Sequence, residues 1–199
     1  LRCHHPDVFV CALLNAQPMG FYTPATIVED ARRHGVVCLP VDVTKSFWDC
    51  TLEQSLAMEK RDDDNLAVRM GLRYITGLPA ATSTAIVDAR ARRHFADLED
   101  FVRRGPRNES HVLALAESGA LESLGLSRRQ ALWDVRRLLK TVQDSLPVTT
   151  KEDDVAFDAL DFGEIISWDY DASGHSVRGH PLMPLRAQLA GLGLPDANA

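Results

Sequence analysis

No apolar run in this chain approaches 18 residues and no signal peptide opens it, so neither a membrane-spanning nor a secreted protein is expected. A Walker loop, a nucleophile elbow and an HExxH pair are all missing. These absences remove the common sequence signs of nucleoside-triphosphate, serine-hydrolase and zinc-protease chemistry. Cysteine is scarce: Cys3, Cys11, Cys38 and Cys50 fall in the first quarter without CxxC spacing, which predicts buried, reduced thiols in a cytosolic protein. The chain begins at Leu1 with no start methionine, and is expected to be a piece of a longer protein. What is present is an ordinary globular composition: 199 residues, 45% hydrophobic and 25% charged, enough for one domain or two small ones.

The net charge of −6 hides an asymmetry. Residues 1–65 sum to −4, residues 66–140 to +5 and residues 141–199 to −7, and the positive charge of the middle is almost all arginine. A basic segment between acidic flanks suits a surface that meets a polyanion, and arginine suits bidentate phosphate contact. A solvated helical face is the other reading that charge alone allows.

Local patterns divide the chain into three parts. "HPDVFVCALLNAQ" reads as a helix with Pro6 in its first turn and Phe9, Leu13 and Ala16 on one stripe. Thr23 then caps a second helix that starts at Pro24 and stops at Gly35. "VVCLPVDV" predicts a short strand, held to a sheet edge by Pro40, with "FWDCTLE" as its partner. "EKRDDDN" is a polar break and a natural boundary. The acids Asp62, Asp63 and Asp64 diverge on any regular element, so they read as a solvated loop, not a metal site. From Leu66 short helices follow one another, with Asp97 and Ser110 as caps. They end in the amphipathic "LSRRQALWDVRRLLKTV", whose Leu132, Val135, Leu138 and Leu139 share a face. The expected fold is mainly α: a small α/β piece at 1–62, an all-α unit at 63–140 and a partly structured acidic linker at 141–199.

One motif in the middle part carries chemistry. Ile75, Gly77, Leu78, Pro79, Ser83 and Ile86 occupy the places of a helix-hairpin-helix element, whose turn precedes a helix N-terminus. Unpaired amides and the helix dipole there favour a phosphate, and glycine lets it approach the backbone. Such a contact holds nucleic acid without reading sequence. Pro79 stands where a second glycine is usual, and its missing N–H deletes one donor. "ESGALESLGLSRRQAL" has the form of a degenerate second copy packed against the first. The expected DNA-binding set is Arg73, Gly77, Leu78, Pro79, Ala80, Arg90, Arg92 and Arg93.

Other candidates read as structural. Cys3, His4, His5 and Cys11 fit no common zinc spacing, and His175 and His180 belong to a glycine-rich turn. Asp169 and Asp171 in "DYD" look like a two-carboxylate metal pair, but without a third acid in a strand context they are read as surface residues. No metal site and no catalytic constellation is expected within the chain.

Taken in order, "NAQPMGFYTPATIVEDARRHGV", "LPVDVTKSFWDCTLE", "VRMGLRYITGL", "SGALESLGLSRRQALW" and "SGHSVRGHPL" resemble the bacterial C-family DNA polymerases, the α subunit of polymerase III. "NAQPMGFY" and "WDCTLE" are closest in wording to the error-prone branch of that family. The resemblance covers nearly the whole chain. It implies the end of a fingers domain at 1–62, a tandem helix-hairpin-helix region at 63–140 that holds primer-template duplex, and a linker at 141–199 toward an oligonucleotide-binding fold beyond Ala199. It also implies a bacterial cytoplasmic, template-directed translesion polymerase whose catalytic aspartates and Mg2+ lie outside this chain. Its partners would be duplex DNA, a sliding clamp and a Y-family-like accessory protein. "QDSLP", Gln143 to Pro147, keeps the Gln and Leu of a clamp-binding pentapeptide and lacks its final aromatic. The alternative is a protein-interaction scaffold within a polymerase assembly.

Overall fold

The computed structural model describes residues 4–54, 66–143 and 157–194. Helix α1 (Pro6–Asn15) begins at the proline whose missing N–H costs nothing in a first turn. Its buried stripe is Val10, Cys11 and Leu14, with Asp7 beside them. The expected stripe of Phe9 and Leu13 is turned instead toward α2, where both residues line a cleft. Helix α2 (Pro24–Arg33) is capped as its sequence predicts: Thr23 Oγ1 accepts from the Thr26 amide at 3.3 Å. It ends at Arg33, and Gly35 just beyond turns the chain in the left-handed region at φ 77°.

Three short strands follow: β1 (Cys38–Leu39), β2 (Thr51–Glu53) and β3 (Ala67–Arg69), in the order β1-β3-β2. The edge position of β1 matches the constraint that Pro40 imposes. The expected β1–β2 pairing does not form. The fully buried β3 lies between them, parallel to β1 through Cys38↔Val68 and antiparallel to β2 through Leu52↔Val68. Arg69 fastens both neighbours, donating through Nη1 to Pro40 O at 2.7 Å and through Nη2 to Glu53. The division expected at residue 62 therefore cuts one sheet, because β3 comes after it.

The rest is helical: a 3-10 turn at Leu72–Tyr74, α3 (Ala80–Arg92), α4 (Leu98–Arg104), α5 (Glu109–Glu117), a 3-10 turn at Glu122–Leu124, α6 (Arg128–Gln143), α7 (Phe162–Ser173) and α8 (Arg186–Gly191). Asp97 caps α4 by accepting from the Asp100 amide at 2.8 Å. Asn108, not Ser110, caps α5: its Oδ1 accepts from the Ser110 amide at 2.9 Å. Helix α6 packs on α4 and α5. One apolar core runs from Val10 and Leu14 through Val68 and Leu72 to Phe101, Leu115 and Val135, joining the sheet to the helices. At about 25 cal/mol per Å² of apolar area, burial of this core is the main force holding the two parts together.

The segment expected as a linker contains a docked helix. Helix α7 opens with a capping box between Asp161 and Glu164. It is tied down by a hydrogen bond from Thr76 N to Ala172 O at 2.9 Å and by Asp169. "EKRDDDN" and most of "QDSLP" lie outside the described residues.

Candidate nucleic-acid interface

The hairpin is built from below. Ile75 and Leu78 are buried and anchor the turn, while Ser83 and Ile86 seat the following helix on the core. Between the two anchors Gly77 adopts φ +76° with open space where a side chain would stand. Pro79 is the N-cap of α3 with no side-chain hydrogen bond, and its carbonyl accepts from Thr82 N at 2.9 Å. The amides of Gly77, Ala80 and Ala81 have no partner among the described residues. They sit at the positive end of a 13-residue helix, a geometry that favours an anion. Leu78 contributes only backbone here, since its side chain is buried.

A second turn repeats the design. Gly125 adopts φ +87° and Leu126 follows. Ser127 then opens α6, accepting from Ala131 N through its carbonyl at 2.8 Å and from Gln130 N through Oγ at 3.3 Å. The degenerate copy in the sequence thus shares the positive-φ glycine before a helix start, but its Gly125 amide donates to Glu122 O at 3.0 Å. Its first-turn arginines are both engaged in ion pairs. Arg128 is 2% exposed and pairs with Asp169 and Glu122, and Arg129 pairs with Glu164 at 2.7 Å.

The expected arginines are dispersed. Arg73 is taken up internally: Nη1 donates to Asp49 at 2.8 Å and Asn15 O at 3.2 Å, and Nη2 to Gln17 O at 2.7 Å. Arg90 donates to Val43 O at 3.0 Å and Ser46 O at 2.7 Å and stacks over the Phe47 ring at 4.6 Å. Burial lowers its pKa, the mark of a desolvated cation. These two guanidinium groups staple α3 and its approach to the sheet side of the molecule, Arg73 through three of its N–H donors and Arg90 through both of those on Nη1. Arg92 and Arg93 are exposed, but they stand at the far end of α3, about 20 Å from the hairpin by helix rise.

The structure adds a group there that sequence reading missed. Arg93, Arg103 and Arg104 converge on the buried carboxylate of Asp100, at 2.8, 3.0 and 2.6 Å. Hydrogen bonds from Arg104 first, then from the Ala96 amide and Arg103, hold the Asp100 carboxyl well below the usual carboxylate range. Arg104 also caps the end of α3 by donating to Ala89 O and Arg93 O. Three guanidinium groups around one carboxylate leave surplus positive charge, and the side chains of Arg93 and Arg103 are 64% and 68% exposed. The signal in the sequence was the pair Arg103-Arg104, three and four residues after Asp100.

Asp169 is not the surface residue its sequence suggested. It is 6% exposed, paired with Arg128 and Arg178, and accepts from Ser176 Oγ at 2.6 Å. His175 is buried edge-on against Tyr74, and burial lowers its pKa. Burial likewise raises the Cys38 and Cys50 thiols to about 12, so they are protonated packing groups. Among the described residues, no three His, Cys, Asp or Glu side chains stand close enough to hold a metal ion. No described helix is long and apolar enough to cross a membrane.

Residues 35–131, which contain both glycine turns, match the helix-hairpin-helix motif family. Over 192 residues the chain is 45% identical to an error-prone DNA polymerase of Azoarcus sp. (strain BH72), covering 96% of this chain. It is 42% identical over 193 residues to that of Alkalilimnicola ehrlichii, covering 95% of this chain. With error-prone DNA polymerase 1 of Agrobacterium fabrum the identity is 41% over 202 residues and 96% of this chain. The chain spans 18% of the length of each of these relatives. Along nearly its whole length, then, the chain is similar to one stretch of bacterial error-prone DNA polymerases, and at residues 35–131 it matches the helix-hairpin-helix motif family.

Proposed function

We propose that the chain serves an error-prone, DNA-directed DNA polymerase by gripping primer-template duplex through its phosphate backbone, without sequence preference. The observation that carries this reading is the pair of positive-φ glycine turns, Gly77 at φ +76° and Gly125 at φ +87°, each leading into a helix N-terminus. Amides of Gly77, Ala80 and Ala81 take one phosphate at the first turn. Arg93 and Arg103, with Arg92 nearby, supply a second anionic contact at the other end of α3. Backbone amides read no base edges, so this grip suits a polymerase that must move along any template. Nucleotide transfer, with its Mg2+, belongs to parts of the parent enzyme outside this chain; the fragment alone is inactive. The sliding clamp and a Y-family-like accessory protein are its proposed protein partners.

The test is anisotropy titration of the 199-residue chain with two labelled duplexes of unrelated sequence across a salt series. Affinity for both falls together, with a log–log slope of roughly −0.9 for each phosphate neutralised. A flat salt response, or strong preference for one duplex, overturns the reading. A scaffold function is the second reading. It is favoured by the exposed Leu182, Met183, Leu185, Leu192 and Leu194 near α8, and no duplex binding even at low salt would select it.

A further inference from the structure

The loop between α1 and α2 displays two aromatic side chains away from the core: Phe21 is 91% exposed and Tyr22 61%. The loop that carries them is fastened. Gln17 Nε2 donates to Tyr22 O at 2.9 Å, and its Oε1 accepts from Met19 N at 3.2 Å. Gly20 turns the chain at φ +80°, and Arg73 Nη2 holds Gln17 O at 2.7 Å. Both rings line a cavity of about 480 Å³ between α1 and α2, together with Phe9, Leu13, Ile27 and His34. The wall is apolar, with the Asp30 carboxylate and the His34 ring as its polar edge. Near the rim the charges are matched: Glu29 pairs with Arg32 at 3.1 Å and Arg33 at 3.5 Å, and Asp30 faces His34 at 3.4 Å. No surplus of negative charge there repels a nucleotide.

We infer that Phe21, Tyr22 and this cleft form a stacking site for an unpaired nucleobase of single-stranded DNA beside the duplex. A nucleobase has the shape required, two flat apolar faces with a polar edge. Aromatic stacking tolerates any base because every base presents a π face. Position supports a nucleic acid over a protein segment. Arg73, which holds the loop, lies four residues before Gly77, so the loop's anchor at the Gln17 carbonyl is within about 25 Å of the phosphate-facing turn by chain and side-chain reach. The inference rests on the duplex-binding reading and extends it: the hairpin holds paired DNA, and the aromatic loop receives the strand where pairing ends. Phe21 and Tyr22 are exposed, so truncating them removes little folded-state packing.

The test uses the 199-residue chain, wild type and Phe21→Ala/Tyr22→Ala, with three probes: a blunt duplex, the same duplex with a single-stranded overhang, and an unstructured single strand. The overhang tightens wild-type binding. The double variant loses roughly five- to a hundredfold of its affinity for the overhang probe, the worth of one stacked base, and keeps its blunt-duplex affinity. Iodouracil at the first unpaired position cross-links to Tyr22 in the wild type, mapped by mass spectrometry. Thermal melts by circular dichroism match for the two proteins. Equal wild-type affinity for blunt and overhang probes, or unchanged overhang binding by the double variant, overturns the inference; a cleft that takes a protein segment gives that result. Failure of the duplex reading looks different: the blunt duplex is not bound, while the single strand is bound and cross-linked.

Discussion

Gly71 and Gly77 show how differently a missing side chain is used. A Cβ at Gly71 would stand 2.3 Å from Trp48 O, so the sheet and the hairpin approach each other through that position. A Cβ at Gly77 meets nothing within 4 Å, and only its φ of +76° resists substitution. Gly77→Ala is expected to cost about 1–2 kcal/mol in urea unfolding. Gly71→Ala costs visibly more, because backbone must move. Pro79 permits a change in the opposite direction. It is exposed with φ −79° and ψ 154°, so Pro79→Gly fits the turn and adds an amide donor. Duplex affinity in the same anisotropy assay should rise by roughly tenfold, the worth of one hydrogen bond to a charged group. Arg73→Ala and Arg90→Ala should lower the unfolding midpoint while leaving the salt slope of duplex binding in place, since both side chains are held by hydrogen bonds within the fold.

Among the elements, α7 is the one whose role the sequence obscured. Its capping box and the apolar Ile166 are local signals, and they were there to read. Its docking depends on residues far apart in the chain: Arg128 with Asp169, Arg178 with Glu122, and His175 against Tyr74. Asp169→Ala would leave Arg128, with a side chain 1% exposed, with Glu122 as its remaining carboxylate partner, and is expected to cost about 1.5–3 kcal/mol in chemical denaturation. His175 adds a pH dependence with a definite sign. Burial lowers its folded pKa below the ordinary value of about 6.5, so the unfolded chain binds the proton more readily. The stability it supports is complete above about pH 6.5 and is lost as pH falls through that value toward the folded pKa. His175→Gln should flatten the decline in unfolding free energy between about pH 7.5 and 5.5.

At the scale of the whole molecule, the sheet crosses the boundary that composition suggested. A chain beginning at residue 63 keeps β3 but loses β1, β2, α1 and α2, leaving Val68 and Leu72 uncovered. Such a fragment, ending at 140, is expected to show no cooperative thermal transition by circular dichroism, while the 199-residue chain unfolds cooperatively. Much was already determined by short-range chemistry in the sequence. Thr23 and Asp97 as caps, Pro6 and Pro24 at first turns, Gly35 and Gly77 at positive φ, and the apolar face of α6 each follow from a few neighbouring residues. Ordered wording along the chain likewise pointed to its polymerase relatives. Only the tertiary structure decided which strand separates β1 from β2, that Arg73 and Arg90 are staples, that Arg103 joins Arg93 on Asp100, and that Asp169 is buried. The physical reason is shared by all four. A cap or a turn is satisfied within a few residues, whereas the partner of a buried charge or an unpaired strand is chosen by which distant groups the common core brings within hydrogen-bond reach.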